Sequence, residues 1–193
     1  MKNQITLVDV KKSYDAHTVL DGVSYVIDDD IAIMGVSGKG KTTLVRIIMG
    51  LERADSGEVS FREKPRFSAV FQEDRLFESF SATENITAII GRGKENEKRA
   101  CSLLAELLID PTEFSKPVRD FSGGMKRRVA IARALLADSN ILVLDEAFKG
   151  LDEETRDRTA GVIRKYAEDK LILLVTHDTH EAELLGIEKV ISV

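Results

Sequence analysis

The chain has 193 residues, a single cysteine and a formal charge of −5, with 43% apolar and 32% charged residues. That length suits one globular domain with a sizeable core. Cys101 alone excludes an intramolecular disulfide and suits a reducing compartment, and the acidic balance argues against nucleic acid as the main partner. No run approaches the roughly 18 uninterrupted apolar residues of a membrane span, and Met1-Lys2-Asn3-Gln4 opens no apolar leader.

In chain order, residues 5–10, 23–27 and 57–61 read as short strands of a small antiparallel sheet, separated by turn residues. Ile31-Ala32-Ile33-Met34 is a continuous apolar run, as expected of a strand covered on both faces. Gly35-Val36-Ser37-Gly38-Lys39-Gly40-Lys41-Thr42 follows and fits G-x-x-x-x-G-K-[ST], the phosphate-binding P-loop. Residues 43–50 then read as a helix, opened by Thr43. A strand, a glycine turn and a helix in that order gather backbone N–H groups and the positive helix end around one anion. The glycines let the backbone approach phosphate in dihedrals that a Cβ forbids. Lys41 is the expected point charge on the β- and γ-phosphates, and the Thr42 hydroxyl an expected ligand of Mg²⁺. A glycine turn with a chance lysine is the plain alternative, and it leaves the flanking strand and helix unexplained.

Further on, residues 84–90 and 94–108 read as helices, with a charged connector at 91–99 and a break at Pro111. Residues 125–137 place Val129, Ala132 and Leu136 on one helical stripe. Lys126-Arg127-Arg128 on the same helix reads as a solvated face rather than a nucleic-acid patch. A second buried strand, 141–144, ends in Asp145-Glu146. A helix at 153–168 and a third buried strand at 171–176 follow. The expected fold is α/β: a P-loop NTPase core with a mostly parallel sheet, a small N-terminal antiparallel subdomain, and a helical subdomain at about 74–138, all within one domain spanning 1–193.

In open α/β sheets ligands sit beyond the carboxyl ends of the strands, so Asp145 would arrive beside the P-loop as a metal carboxylate. Glu146 could then deprotonate an attacking water. Upstream, Phe121-Ser122-Gly123-Gly124-Met125 is a second glycine-rich helix start, again suited to an anion. Two-fold pairing would give each such start a use, with the P-loop of one copy facing the second glycine start of another.

With these motifs in place, the chain resembles an ATP-binding-cassette (ABC) ATPase, the nucleotide-binding subunit of an ABC transporter. Ser122-Gly123-Gly124 followed by Arg128-Val129-Ala130-Ile131-Ala132-Arg133-Ala134-Leu135 is similar to the family signature. The resemblance spans nearly the whole chain in the same order. It implies that Tyr14 stacks on adenine, that Gln72 joins nucleotide, Mg²⁺ and permease, and that Gly150-Leu151-Asp152 crosses a dimer interface. It also implies that His177 holds the γ-phosphate. Each of these single residues has a plainer reading: Tyr14 as an ordinary half-buried aromatic, Gln72 as a surface amide, Asp152 as a helix N-cap, His177 as a strand-end histidine. The implied catalytic set is Glu146, His177, Gln72 and Lys41. The implied nucleotide contacts are residues 35–43, Tyr14, Ser122, Gly123, Gly124 and Asp152, and the metal set is Thr42, Gln72 and Asp145.

The implied cofactors are ATP and Mg²⁺, and the implied partners a second ATPase subunit and membrane permease subunits, with no nucleic acid. The chain would then lie in the cytoplasm, peripheral on the inner face of the membrane. The stretch from Gln72 to Ile86, with Leu76, Phe77 and Phe80, resembles the permease-docking segment of nitrate, sulfonate and taurine importers. Met125 departs from the usual glutamine, Ala147 from a common proline, and Lys39 adds charge within the loop. Sixteen residues follow His177, too few for an added regulatory domain. Two other classes remain open at this point: a non-transport ABC ATPase acting on nucleic acid or the ribosome, and a nucleotide-binding module without turnover.

Overall fold

The computed structural model describes residues 2–15, 17–35 and 40–192. They form two compact units: Met1–Phe67, Ser139–Asp145 and Asp169–Val193 in the first, Ser68–Asp138 and Glu146–Glu168 in the second.

The first unit contains two sheets. In the antiparallel one, β1 (Ile5–Tyr14) lies between β2 (His17–Ile27) and β4 (Ser56–Phe61). Ile5, Leu7, Val10, Leu20 and Ile27 form its buried face. Strands β1 and β2 run longer than the sequence predicts because their pairing slips, with register shifts after Leu7, Val10 and Lys12. Each slip resets the two-residue alternation, so the polar run after Val10 looks like an ending. Asp9 takes a left-handed φ of 47° at the first slip. Gly57, with φ 89°, crosses it so closely that a Cβ would lie 2.3 Å from the Asp9 carbonyl oxygen. Only glycine fits there.

The other sheet of this unit is parallel. Strand β3 (Ile31–Met34) pairs with β7 (Leu171–Val175) on one side and β8 (Lys189–Ser192) on the other, and β7 pairs with β6 (Ile141–Asp145). Every residue of β6 and β7 is buried, which accounts for their continuous apolar sequence up to Asp145. In register, Asp145 lies opposite Val175, and Ile33 opposite Val175 on the other side. The carboxyl ends of three strands therefore finish level. Helix α1 (Lys41–Ile48) follows β3 and buries Leu44, Val45, Ile47 and Ile48. Helix α6 (Thr179–Leu185) follows β7. Neither α6 nor β8 stands out in the sequence, since α6 is two turns long and β8 buries only Ile191.

The second unit is mainly helical. Strand β5 (Phe67–Val70) straddles the division; helices α2 (Ala82–Ile90), α3 (Lys94–Glu106), α4 (Gly123–Leu136) and α5 (Glu153–Tyr166) follow. Helices α2, α3 and α4 pack on one another, burying Ile86, Ala100, Leu103, Leu104, Val129 and Ile131. A capping box starts α2: the Glu84 N–H donates to Ser81 Oγ at 3.1 Å and the Ser81 N–H to Glu84 Oε2 at 2.8 Å. These bonds hold the Glu84 carboxyl below its ordinary range. Asn85, fully buried, reads the preceding loop through its backbone alone. It donates to the Phe77 and Ser81 carbonyls at 3.1 and 3.0 Å and accepts from the Phe77 N–H at 2.8 Å.

Candidate ATP site and its two halves

In the first unit the P-loop residues Val36, Ser37, Gly38 and Lys39 lie outside the described residues. Their flanks are clear. Gly40 precedes α1 with φ 99°, and a Cβ on it would lie 2.8 Å from the Val19 carbonyl oxygen and 2.9 Å from Leu20. Glycine therefore lets the helix start press against β2. Lys41 Nζ donates to the Gly35 carbonyl at 2.8 Å. Thr42 Oγ1 donates to Asp145 Oδ2 at 3.3 Å. A hydroxyl from the helix start and a carboxylate from a strand end 103 residues away thus share one point. Asp145 is 4% exposed. Both groups are hard oxygen donors, a set that fits Mg²⁺.

Thr43 sits half-buried in the first turn of α1. His177 is exposed just past β7. Its neighbours are fixed: Thr176 Oγ1 donates to Glu181 at 2.5 Å, and the Asp178 side chain caps α6 through the His180 N–H at 2.9 Å. Tyr14 ends β1, 45% exposed, and its hydroxyl donates to Glu52.

In the second unit, Ser122 caps α4 through the Met125 N–H at 3.3 Å, and Gly123 and Gly124 are its first helical residues. A Cβ on Gly124 would lie 3.3 Å from the Gly150 carbonyl oxygen, so the two glycine motifs pack together. Asp152 caps α5, accepting from the Thr155 N–H at 2.9 Å and the Thr155 hydroxyl at 2.9 Å. Its carboxyl is held low by those two bonds. A cavity of about 520 Å³ opens here, lined by Ser122, Gly123, Gly124, Arg128, Lys149 and Asp152. The cations Arg127, Arg128 and Lys149 share the lining with Asp74 and Asp152, and the N–H groups of the helix start suit an anion. Glu146 directly follows Asp145 with a left-handed φ of 51°, and its carboxylate accepts an ion pair from Lys149 at 3.4 Å.

The Lys126-Arg127-Arg128 run is not a solvated face. Arg127 is 5% exposed and donates to the Phe71 and Gln72 carbonyls at 2.6 and 2.7 Å, with its Nε 3.2 Å from Asp74. Arg133 adds bonds to the Asp74 and Arg75 carbonyls at 3.0 and 2.8 Å. Arg128 bonds the Leu107, Leu108 and Gly124 carbonyls. Guanidinium forks satisfy backbone acceptors of distant loops, and helix periodicity alone does not reveal that use of arginine. Gln72 is thereby held by its backbone, with its residue exposed. Burial pushes the Asp74 carboxyl above its usual range while Arg127 pulls it back.

Residues 23–149 match the family model described as ABC transporter. The chain is also 35% identical over 194 residues to the aliphatic sulfonates import ATP-binding protein SsuB of Corynebacterium glutamicum, covering 96% of this chain and 79% of that protein. The chain belongs to the ABC transporter family. A second SsuB, from Nocardia farcinica, is 36% identical over 94% of this ATPase and 75% of its own length. Among solved structures, a dimeric ATP-binding cassette in a post-hydrolysis state bound to ADP and Pi superposes with a TM-score of 0.88 at 27% identity, covering 98% of this chain and 94% of that one. As a member of this family, the cassette binds and hydrolyses ATP to energise transport. Among the described residues no helix is long and apolar enough to cross a membrane.

Proposed function

We propose that this ABC ATPase drives an importer of small organic anions of the sulfonate class. In this reading it acts as one half of a nucleotide-sandwich dimer, held by permease subunits at the cytoplasmic face of the membrane. The observation that carries the catalytic reading is the meeting of Thr42 and Asp145 beside Lys41. The substrate class follows the sulfonate importers named above.

In this reading residues 35–43 cradle the triphosphate, Lys41 exchanges the Gly35 carbonyl for phosphate oxygen, and Tyr14 stacks on adenine. Thr42, Asp145 and Gln72 hold Mg²⁺, which supplies charge neutralisation of the phosphates when bound. Glu146 accepts the proton of the attacking water, and His177 donates a hydrogen bond to the γ-phosphate. Ser122, Gly123, Gly124 and Asp152 serve the nucleotide of the second copy, where the cavity beside α4 takes the phosphate edge. Closure around two nucleotides and release after hydrolysis is the mechanical output.

Permease docking is assigned to the loop before α2. Phe77 is 51% exposed and packs against Phe80 with ring centroids 5.1 Å apart, an apolar pair on a loop that Asn85 holds rigid.

Glu146→Gln is the test. It keeps size and hydrogen bonding but removes the base, so ATP turnover is expected to fall about 100-fold or more. The same variant should elute as an ATP-dependent dimer in sizing chromatography. Undiminished hydrolysis would remove Glu146 as base, and a monomer at saturating ATP would remove the paired site.

A further inference from the structure

Around Tyr14 lies a set of charges that the ATPase mechanism does not use. Glu52 is the centre. It accepts from the Tyr14 hydroxyl, and its carboxylate lies 3.4 Å from Arg46 Nε and 3.7 Å from Lys12 Nζ. Its side chain is only 18% exposed, and that of Lys12 14%. Lys12 also bonds the Arg53 carbonyl at 2.9 Å and Asp55 at 3.2 Å, and its ammonium stands 5.3 Å from the centre of the Tyr14 ring. One ring face is therefore occupied by a cation, while the residue as a whole is 45% exposed.

Arg46 belongs to α1, the helix that carries Lys41 and Thr42. The Leu51 and Glu52 N–H groups both donate to the Arg46 carbonyl, at 2.9 and 3.2 Å, so Glu52 is fixed to that helix through backbone as well as side chain. The strands behind Tyr14 meet the same helix start, since Gly40 presses on Val19 and Leu20, and Leu20 pairs with Lys12.

We propose that Glu52 is a positioning residue that locks the Tyr14 ring, edge and face, at a fixed offset from the P-loop helix, so that the base and the phosphates of one nucleotide are read against a single rigid ruler. The inference rests on Tyr14 being the residue that stacks on adenine. The phenol hydroxyl is pinned by Glu52 and one face is backed by Lys12, while the residue keeps 45% of its surface exposed for a purine. A ring pre-ordered in this way loses no rotamer freedom when the base arrives.

The test measures equilibrium binding of MgATP and of inorganic tripolyphosphate, which has no base, to the whole chain carrying Tyr14→Ala, Glu52→Ala or Glu52→Gln. Glu52→Ala is expected to weaken MgATP about three- to tenfold and to leave tripolyphosphate within about twofold of wild type. Glu52→Gln, which keeps an acceptor for the hydroxyl, should recover most of the loss. Tyr14→Ala should lose at least as much for MgATP. If Tyr14→Ala changes nothing, the adenine reading fails. If Tyr14→Ala weakens MgATP and Glu52→Ala does not, the ring binds base without Glu52, and the proposal is overturned. Equal loss for MgATP and tripolyphosphate in Glu52→Ala also overturns it, because Glu52 then acts on α1 through Arg46.

Discussion

Thr42 and Asp145 meet beyond a sheet whose strands β6 and β7 are buried along their whole length, whereas Ser122, Gly123 and Gly124 open a helix held from behind by arginines. The first arrangement positions side chains; the second positions backbone. In the first unit, β6 and β7 are fixed along their whole length, so a carboxylate at a strand end inherits the rigidity of the core. In the second, α4 shares Arg127 and Arg133 with the carbonyls of residues 71, 72, 74 and 75. The glycine start and the glutamine segment are thereby welded into one piece. A site made of side chains is suited to hold a metal and a phosphate in place. A site made of backbone on a welded piece is suited to be carried as a body.

The sharpest break would come at Asp145. Asp145→Asn keeps volume and leaves Thr42 a partner, so folding should hold while ATP turnover drops about 100-fold and the Mg²⁺ needed for half-maximal rate rises. A normal Mg²⁺ response would detach the strand-end carboxylate from the metal. The weld is tested next. Arg127→Gln leaves two part-buried carbonyls and the half-buried Asp74 without their fork, and should cost about 2–4 kcal/mol in chemical unfolding. Lysine should rescue little of it, since an ammonium cannot span both carbonyls. If Arg127→Gln unfolds like wild type, the two segments are not held as one.

The smallest effect lies at the far end of the second unit. Lys165 bonds Glu106 at 2.8 Å, and so does the Tyr166 hydroxyl at 2.8 Å. With Lys165 as the main cause, these partners hold the Glu106 carboxyl below its ordinary value of 4.5, while burial first and Glu106 second push Tyr166 up to about 12. A carboxyl lowered on folding stabilises above its unfolded value and loses that stabilisation as pH falls through its folded one. Glu106→Gln should therefore cost about 1 kcal/mol near neutrality, and the gap in Tm from wild type should close as pH drops below 4.5. A gap that persists in acid would make the contact one of shape rather than charge.

Much of the first arrangement was readable from sequence because its signals are local. Residues 31–34 and 141–144 are unbroken apolar runs; Asp145 and Glu146 directly follow the second, and Lys41 and Thr42 close the glycine motif that follows the first. The second arrangement was readable only at its glycines. Arg127 looks like part of a basic helix face until the carbonyls that it serves, 56 and 55 residues upstream, are in view. Glu52 follows a helix as an ordinary acid, and nothing nearby announces Tyr14, 38 positions away. Strands β1 and β2 run past their sequence signal for a related reason: a slipped register hides a continuing strand behind a broken alternation.

Asn85 has a consequence for how this cassette can change. It grips the loop at Phe77 and Ser81 through main-chain atoms only, and the loop closes further through the Phe80 N–H on the Phe77 carbonyl at 2.9 Å. The backbone shape of the segment thus does not depend on an exposed side chain such as that of Ser79, which can be exchanged without remaking the loop, whereas Glu78 is tied to Lys126 at 3.1 Å. One buried amide leaves the surface of this loop free to change while its backbone stays where it is.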